Sequence, residues 1–332
     1  MKVLFIGGTG FISTAVSRQA VAKGLELYLL NRGLRGAAPH GAHSLTADIR
    51  QPEEVGAAMR GLRFDVVVNW VAYTPDDIER DLSLFEGRVG QYVFISSAAV
   101  YQKPPAHYLI TEETPLRNPF WDYARDKIAC EERLLRAHVE EGFPATIVRP
   151  SHTYETNFPV AVGGGGSYTL ADRLKRGLPV IVHGDGTSLW VLTHAEDFGR
   201  GFLGLLGNRE AIGQAFHITS DEVLTWERIY ETIAEALGVE ANVVHIPSDF
   251  IARVAPGRAG SLLGDKQWSA VFDNSKIKRF VPEFRAVIPF REGIRRTLEW
   301  FEMDERRRRV DEGMREEMER ILGAYGARYR SV

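Results

Sequence analysis

The chain reads as an α/β protein: a doubly wound parallel sheet followed by a smaller C-terminal α/β lobe. Three observations predict this. Short apolar runs alternate with amphipathic ones as far as Pro150, the pattern of successive βαβ units. Two of those runs, "FDVVVNW" and "QYVFISS", are too apolar to keep a wet face. The first run, "KVLFI", passes at once into a glycine turn, "GGTGFIS", that opens a helix. That strand–turn–helix order is the context of a Rossmann dinucleotide fingerprint.

The elements follow in order. Lys2 to Ile6 is a strand. Phe11 to Lys23 is a helix stopped by Gly24. "ELYLL" is a second strand, and Pro52 to Arg60 is a helix with proline in its first turn. The buried strand "FDVVVNW" precedes a helix over Asp76 to Glu86, and "QYVFISS" is the next strand. Trp121 to Glu141 is a long helix stopped by Gly142, and "ATIVR" is a strand ended by Pro150. Beyond Pro150 the texture changes. A glycine loop, Gly163 to Ser167, reads as a flexible lid before a short helix. A strand–turn–strand unit follows, and Asp197 is placed to cap the helix after it. A later helix is capped by Asp221 or Thr225. Residues 284–325 are mostly helical and strongly charged. The predicted division is a dinucleotide-binding domain over 1–160 and a substrate-binding lobe over 161–332, with segments near 185–215 crossing back to the first.

Composition removes several function classes. With 44% hydrophobic and 26% charged residues the chain is neither disordered nor fibrous. A net charge of −3 gives no basic footprint for nucleic acid. The one basic run, Arg306 to Arg309, lies among Asp304, Glu305, Asp311 and Glu312 and reads as a solvated face. Cys130 is the single cysteine, so no internal disulfide forms. The nine histidines show no metal-ligand spacing, and no metal is expected. No apolar run is long enough to cross a membrane. With a strand at its very start the chain is expected to lack a signal peptide and to be cytoplasmic.

The glycine turn points to a cofactor. Gly7 permits the tight turn, and Gly10 lets the backbone approach a pyrophosphate. The amides of Phe11 and Ile12 open the helix toward its charge. Ser13 stands where a third glycine is usual, and is small enough to be tolerated. The second strand ends at Asn31 and Arg32, with no carboxylate for a ribose diol and with Arg35 close behind. A guanidinium at that place favours NADP over NAD, although Arg32 stacked on adenine would suit both. Asp48 is placed either to accept from the adenine amino group or to cap the helix before Pro52. Ile49, Val71 and Pro150 are placed with the cofactor ligands.

A second constellation carries chemistry. Tyr123 and Lys127 lie four apart on one helix face. The preceding strand delivers Ser96 and Ser97 to the same sheet edge, where ligands of open parallel sheets bind. A phenol is a poor base near neutral pH, and a neighbouring ammonium lowers its pKa. Phenolate can then take a hydroxyl proton as hydride leaves the same carbon.

These motifs make the chain resemble the extended and atypical short-chain dehydrogenases/reductases, the NAD(P)-dependent sugar-nucleotide epimerase/dehydratase family. The resembling stretches are "GGTGFIS", "ADIR", "SSAAVY", "YARDK", "RPSHTY" and "GDGTSLWVLTHAEDF", in family order. The resemblance implies Tyr123 as base, Lys127 as its activator and ribose ligand, and Ser97 as donor to the substrate oxygen. Ser97 matches rather than Ser96 because it lies four before Tyr101. It also implies a homodimer built on helix pairs. The acid–base pair of the family's dehydratases is replaced by Ala98 and Ala99, which ranks dehydration low. The asparagine that helps hold the diphosphate is replaced by His152, a candidate substrate ligand, and the usual arginine by the segment Ser188–Trp190.

The leading expectation is an epimerase that oxidises a nucleotide-sugar hydroxyl to a transient ketone and re-reduces it. The alternatives are an NADPH-dependent reductase of a small ketone or keto-sugar, and an RNA-associated protein with a vestigial site.

Overall fold

A computed structural model describes residues 1–34 and 36–329. Arg35, the second predicted arginine of the cofactor edge, lies outside them. Seven parallel strands form the central sheet: β1 (Lys2–Ile6), β2 (Glu26–Asn31), β3 (His43–Thr46), β4 (Phe64–Asn69), β5 (Val89–Ile95), β6 (Ala145–Pro150) and β7 (Ala215–Ile218). Their spatial order is β7-β6-β5-β4-β1-β2-β3. The chain winds outward from β1 in one direction and from β4 in the other. The crevice between them is the topological switch point, where such sheets bind ligands. Ile6 is in register with Leu30 on one side and Asn69 on the other.

Period-two alternation sorts the sheet's side chains to two faces. Val3, Phe5, Val66 and Val68 pack under α1 (Ser13–Ala22) and α6 (Ala195–Leu205), meeting Val16, Phe198 and Phe202. Leu4, Ile6, Val67 and Phe94 pack under α2 (Pro52–Ala58), α3 (Pro75–Phe85) and α4 (Asp122–Glu141), meeting Val55, Ile78, Leu82 and Leu134. Strands covered on both faces need no polar residues, which explains the unbroken apolar runs.

The second lobe is built from short strand pairs and the short helix α5 (Thr169–Lys175). Val180–His183 lies parallel to Val243–Ile246, and Leu189–Trp190 lies antiparallel to Leu224–Thr225. Its core gathers Tyr154, Phe158, Trp190, Trp226 and Phe301 beneath the helices Trp226–Ala236 and Phe290–Glu302. The chain leaves this lobe to place α6 and β7 against the sheet, then returns.

Several sequence readings are sharpened or corrected. The first helix starts at Ser13, not Phe11, because Gly10 to Ile12 form the turn itself. Thr225, not Asp221, caps the helix Trp226–Ala236, accepting from Arg228 N at 3.1 Å. Asp221 instead pairs with Lys278. Asp197 does not cap α6. His194 Nδ1 accepts from Glu196 N, while buried Asp197 accepts from Ile288 N at 2.8 Å and pairs with Arg200. The loop Gly163–Ser167 is no open lid. A Cβ on Gly164 would strike the carbonyl oxygens of Phe158 and Val160, and one on Gly163 would meet Met318 of the helix Glu312–Tyr329. These glycines serve close packing. No helix among the described residues is long and apolar enough to cross a membrane.

Candidate active site

The glycine turn lies at the carboxyl end of β1. Gly7 and Gly8 have φ of +94° and +104°, a region L side chains rarely adopt. A Cβ on Gly8 would also lie 2.7 Å from Leu29 Cδ2. Ser17 Oγ donates to Gly8 O at 3.0 Å, and Gly10 N donates to Ser13 Oγ at 2.8 Å. Ser13 therefore fastens the turn to the helix by a bond glycine cannot make. α1 carries no side-chain cap and no acidic residue in its first turn. Its positive end is left for an anion. A strained glycine cradle before an uncapped helix fits a dinucleotide pyrophosphate. Phe11 is 52% exposed at the mouth of this turn, Ile12 is half-buried, and Val71 is exposed close beside Gly7.

At the end of β2, Asn31 Oδ1 accepts from Gly33 N at 2.9 Å and shapes the bend. A cleft of about 390 Å³ opens there, lined by Asn31, Gly33, Ser44 and Thr46. Arg32 is exposed. Asp48 is held by Arg50 at 2.6 Å, and hydrogen bonds from Arg50 keep its carboxyl far below the usual range, with a smaller pull from Arg32. It does not cap α2, whose N-cap is Gln51. Ile49 is half-buried beside it, and Pro150 is buried in β6 in register with Ile218.

Tyr123 and Lys127 occupy the first turns of α4, above the carboxyl ends of β4 and β5. Burial pushes the Tyr123 phenol up to about 12, and a hydrogen bond from the Ser97 side chain pulls the other way. Ser97 and Tyr123 are thus brought together. Ser96 is not available: its hydroxyl donates to the buried carboxylate of Glu131. Lys127 is 2% exposed, and its Nζ donates to Ala72 O at 2.6 Å and Ile95 O at 2.8 Å. It also lies 4.7 Å from the Tyr73 ring centroid and 5.8 Å from that of Tyr123. Burial brings its ammonium down to about 8. Burial dominates at Tyr123, so its phenol stands above the ordinary range.

His152 stands apart from the triad, its ring 6.2 Å from Trp226. Burial lowers it to about 3, so it is a neutral imidazole, and its Nδ1 has no hydrogen-bond partner among the described residues. Two residues of the site escaped the sequence reading. Tyr73 is 49% exposed and its ring lies 6.4 Å from that of Tyr123, with no motif to mark it. Glu131 did carry a signal, since it follows Lys127 by the same helical step that links Lys127 to Tyr123.

A Rossmann sheet with a Ser/Tyr/Lys set at its ligand edge defines a nucleotide-dependent enzyme of the dehydrogenase type. The chain belongs to the NAD dependent epimerase/dehydratase family, whose model matches residues 3–219. It is 26% identical over 286 residues to 2'-dehydrokanamycin reductase of Streptomyces kanamyceticus, covering 86% of this chain and 80% of that protein. It is 28% identical over 271 residues to the chloroplast stem-loop binding protein of 41 kDa b of Arabidopsis thaliana, covering 75% and 67%. Its fold matches the UDP-glucose 4-epimerase of Thermus thermophilus with a TM-score of 0.72 at 23% identity, covering 91% of this chain and 99% of that one.

The NADP preference is corrected by these structures. The Thermus thermophilus enzyme holds NAD, as do the similarly folded dTDP-glucose 4,6-dehydratase of Bacillus anthracis and UDP-glucose 4-epimerase of Bifidobacterium longum. The physical reason is local. Arg32 is exposed, with the Asp48 carboxylate near enough to feel its charge, and a carboxylate beside this strand end opposes a 2′-phosphate there.

Proposed function

We propose that the protein is an NAD-dependent epimerase that acts on a nucleotide sugar through a transient keto intermediate. One observation carries this reading: the Ser97 side chain lies close enough to the Tyr123 phenol to favour its ionised form, with Lys127 one turn along, at the sheet edge that also holds the glycine cradle. Gly7, Gly10, Phe11 and Ile12 would hold the pyrophosphate. Asn31, Arg32, Asp48 and Ile49 would border the adenosine, and Val71 and Pro150 the nicotinamide half. Bound NAD supplies a reversible hydride acceptor. Ser97 holds the substrate oxygen, and Tyr123 Oη takes the hydroxyl proton and later returns it. Tyr123 would have to stand as phenolate before the step, its own proton released to solvent, and the Lys127 ammonium together with the positive charge of bound NAD would favour that form. Ala98 and Ala99, which follow Ser97, offer no acid or base for eliminating water. His152, as a neutral imidazole, would hydrogen-bond the non-reacting part of the substrate. The site would work in a cytoplasmic homodimer paired through α3 and α4.

The test is product analysis after incubating the enzyme and catalytic NAD with a panel of UDP-, dTDP- and GDP-sugars. Epimer formation with no net NADH supports the reading. The similarity to 2'-dehydrokanamycin reductase favours a second one, net reduction of a keto-sugar. Stoichiometric consumption of reduced cofactor with a ketone would replace the first reading by the second.

A further inference from the structure

The catalytic face of α4 has a third rung. Glu131 lies four residues beyond Lys127 and is fully buried, at 0% exposure. Its carboxylate accepts from Ser96 Oγ, from Arg149 Nε at 3.0 and 3.2 Å, and from Arg149 Nη2 at 2.6 Å. Arg149 precedes Pro150 at the end of β6, and its Nη1 donates to Tyr101 Oη and to Glu112 O, both at 3.3 Å. Tyr101 Oη in turn pairs with His217 Nδ1 of β7 at 2.9 Å. One connected polar network therefore ties α4 to the ends of β5, β6 and β7. It stops at Ser96, one residue short of the hydroxyl that meets Tyr123.

A buried ion pair is a weak source of stability, because apolar residues of similar volume often serve as well. Its better-attested use is to fix one geometry. We propose that Glu131 is the positioning residue of this site: its carboxylate locks the Tyr123/Lys127 face of α4 onto the end of β5 and sets its charge against Lys127. The inference rests on the Ser97/Tyr123/Lys127 reading of the site.

The surroundings of Lys127 make the charge matter. Cys130 and Glu131 face it from its own helix and Asp77 from α3. The rings of Tyr73 and Phe94 lie 4.7 Å away. Burial pushes the Cys130 thiol up to about 12, so it is neutral. Glu131 and Asp77 are then the carboxylates that oppose the desolvation of Lys127, and loss of one leaves the other alone.

The experiment is an NMR titration of the lysine side chains in the full chain, with the Lys127 signal assigned by Lys127→Arg. In Glu131→Gln the Lys127 midpoint moves down by about half a pH unit or more. Glu131→Asp, which keeps the charge, returns it toward the parent value. With a nucleotide sugar that the parent turns over, kcat falls on the order of tenfold or more while KM changes less than about twofold. Should Glu131→Gln not fold, the double variant Glu131→Gln/Arg149→Met, which removes both buried charges, is assayed for turnover instead, because the two losses act in opposite directions on the Lys127 midpoint. An unchanged Lys127 midpoint in folded Glu131→Gln, or a kcat within about twofold of the parent in the double variant, overturns the proposal. If the parent turned over no nucleotide sugar, the functional reading would fall while the titration still decided the role of Glu131.

Discussion

Tyr123 is the residue on which the proposed chemistry turns. Tyr123→Phe keeps the ring packed between Trp121 and Tyr73 and removes only the hydroxyl. Turnover is expected to fall by about 10²–10⁴-fold, the usual worth of a positioned acid–base group. NAD affinity, measured by calorimetry, stays within about twofold because the phenol is not part of the pyrophosphate cradle. Ser13 makes the opposite kind of prediction. Ser13→Ala removes the acceptor of Gly10 N, costs about 1 kcal/mol of turn stability, and weakens NAD binding several-fold with little change in kcat. The nearness of Ser97, Tyr123 and Lys127 was legible in the sequence, because helical spacing and strand ends fix where such side chains go; their catalytic roles are part of the proposal. The cofactor's phosphate was not legible. Arg32 read as a 2′-phosphate ligand because a sequence does not show that the Asp48 carboxylate stands near it.

At the scale of elements, the turn between β1 and α1 is the most constrained piece. Gly8 combines a φ of +104° with a neighbour, Leu29, that leaves no room for a methyl group. Gly8→Ala is expected to destabilise the fold by about 1–3 kcal/mol and to lower NAD affinity more than a comparable surface change. A melting curve with and without NAD checks both. The strands and helices of the sheet were legible because unbroken apolar runs and amphipathic runs alternate. The role of the Gly163–Ser167 loop was not, since glycine signals either freedom or close approach. Here Met318 and the Phe158 and Val160 carbonyls decide for close approach. Gly164→Ala should therefore lower Tm, read by calorimetry, rather than alter the opening of a lid.

Four histidines are held below the ordinary imidazole range chiefly by burial: His152, His183, His194 and His217. His152 is held at about 3, and His183 and His217 at about 4, each chiefly by burial. In the unfolded chain they protonate near 6.5. Below that pH the unfolded state binds more protons than the folded one, so stability falls as pH drops. The contribution is complete above about pH 6.5 and is lost progressively toward about pH 4. Thermal melts across that window should show a declining Tm, with a shallower slope in His183→Gln. A slope equal to the parent's would show that His183 plays no part in the decline. The return of the chain from the second lobe to add β7 to the edge of the sheet and α6 to its face is likewise a property of the whole, set by the packing of Phe198, Phe202 and Phe216 in one core with Val3, Phe5 and Val68.

The chemistry itself is read by rapid mixing of NAD-loaded protein with a nucleotide sugar that stabilises it, following the absorbance of reduced nicotinamide. An epimerase working through Tyr123 gives a transient no larger than the enzyme concentration, which decays as epimer forms and is lost in Tyr123→Phe. NADH that accumulates steadily beyond the enzyme, or a transient that survives in Tyr123→Phe, would contradict that mechanism.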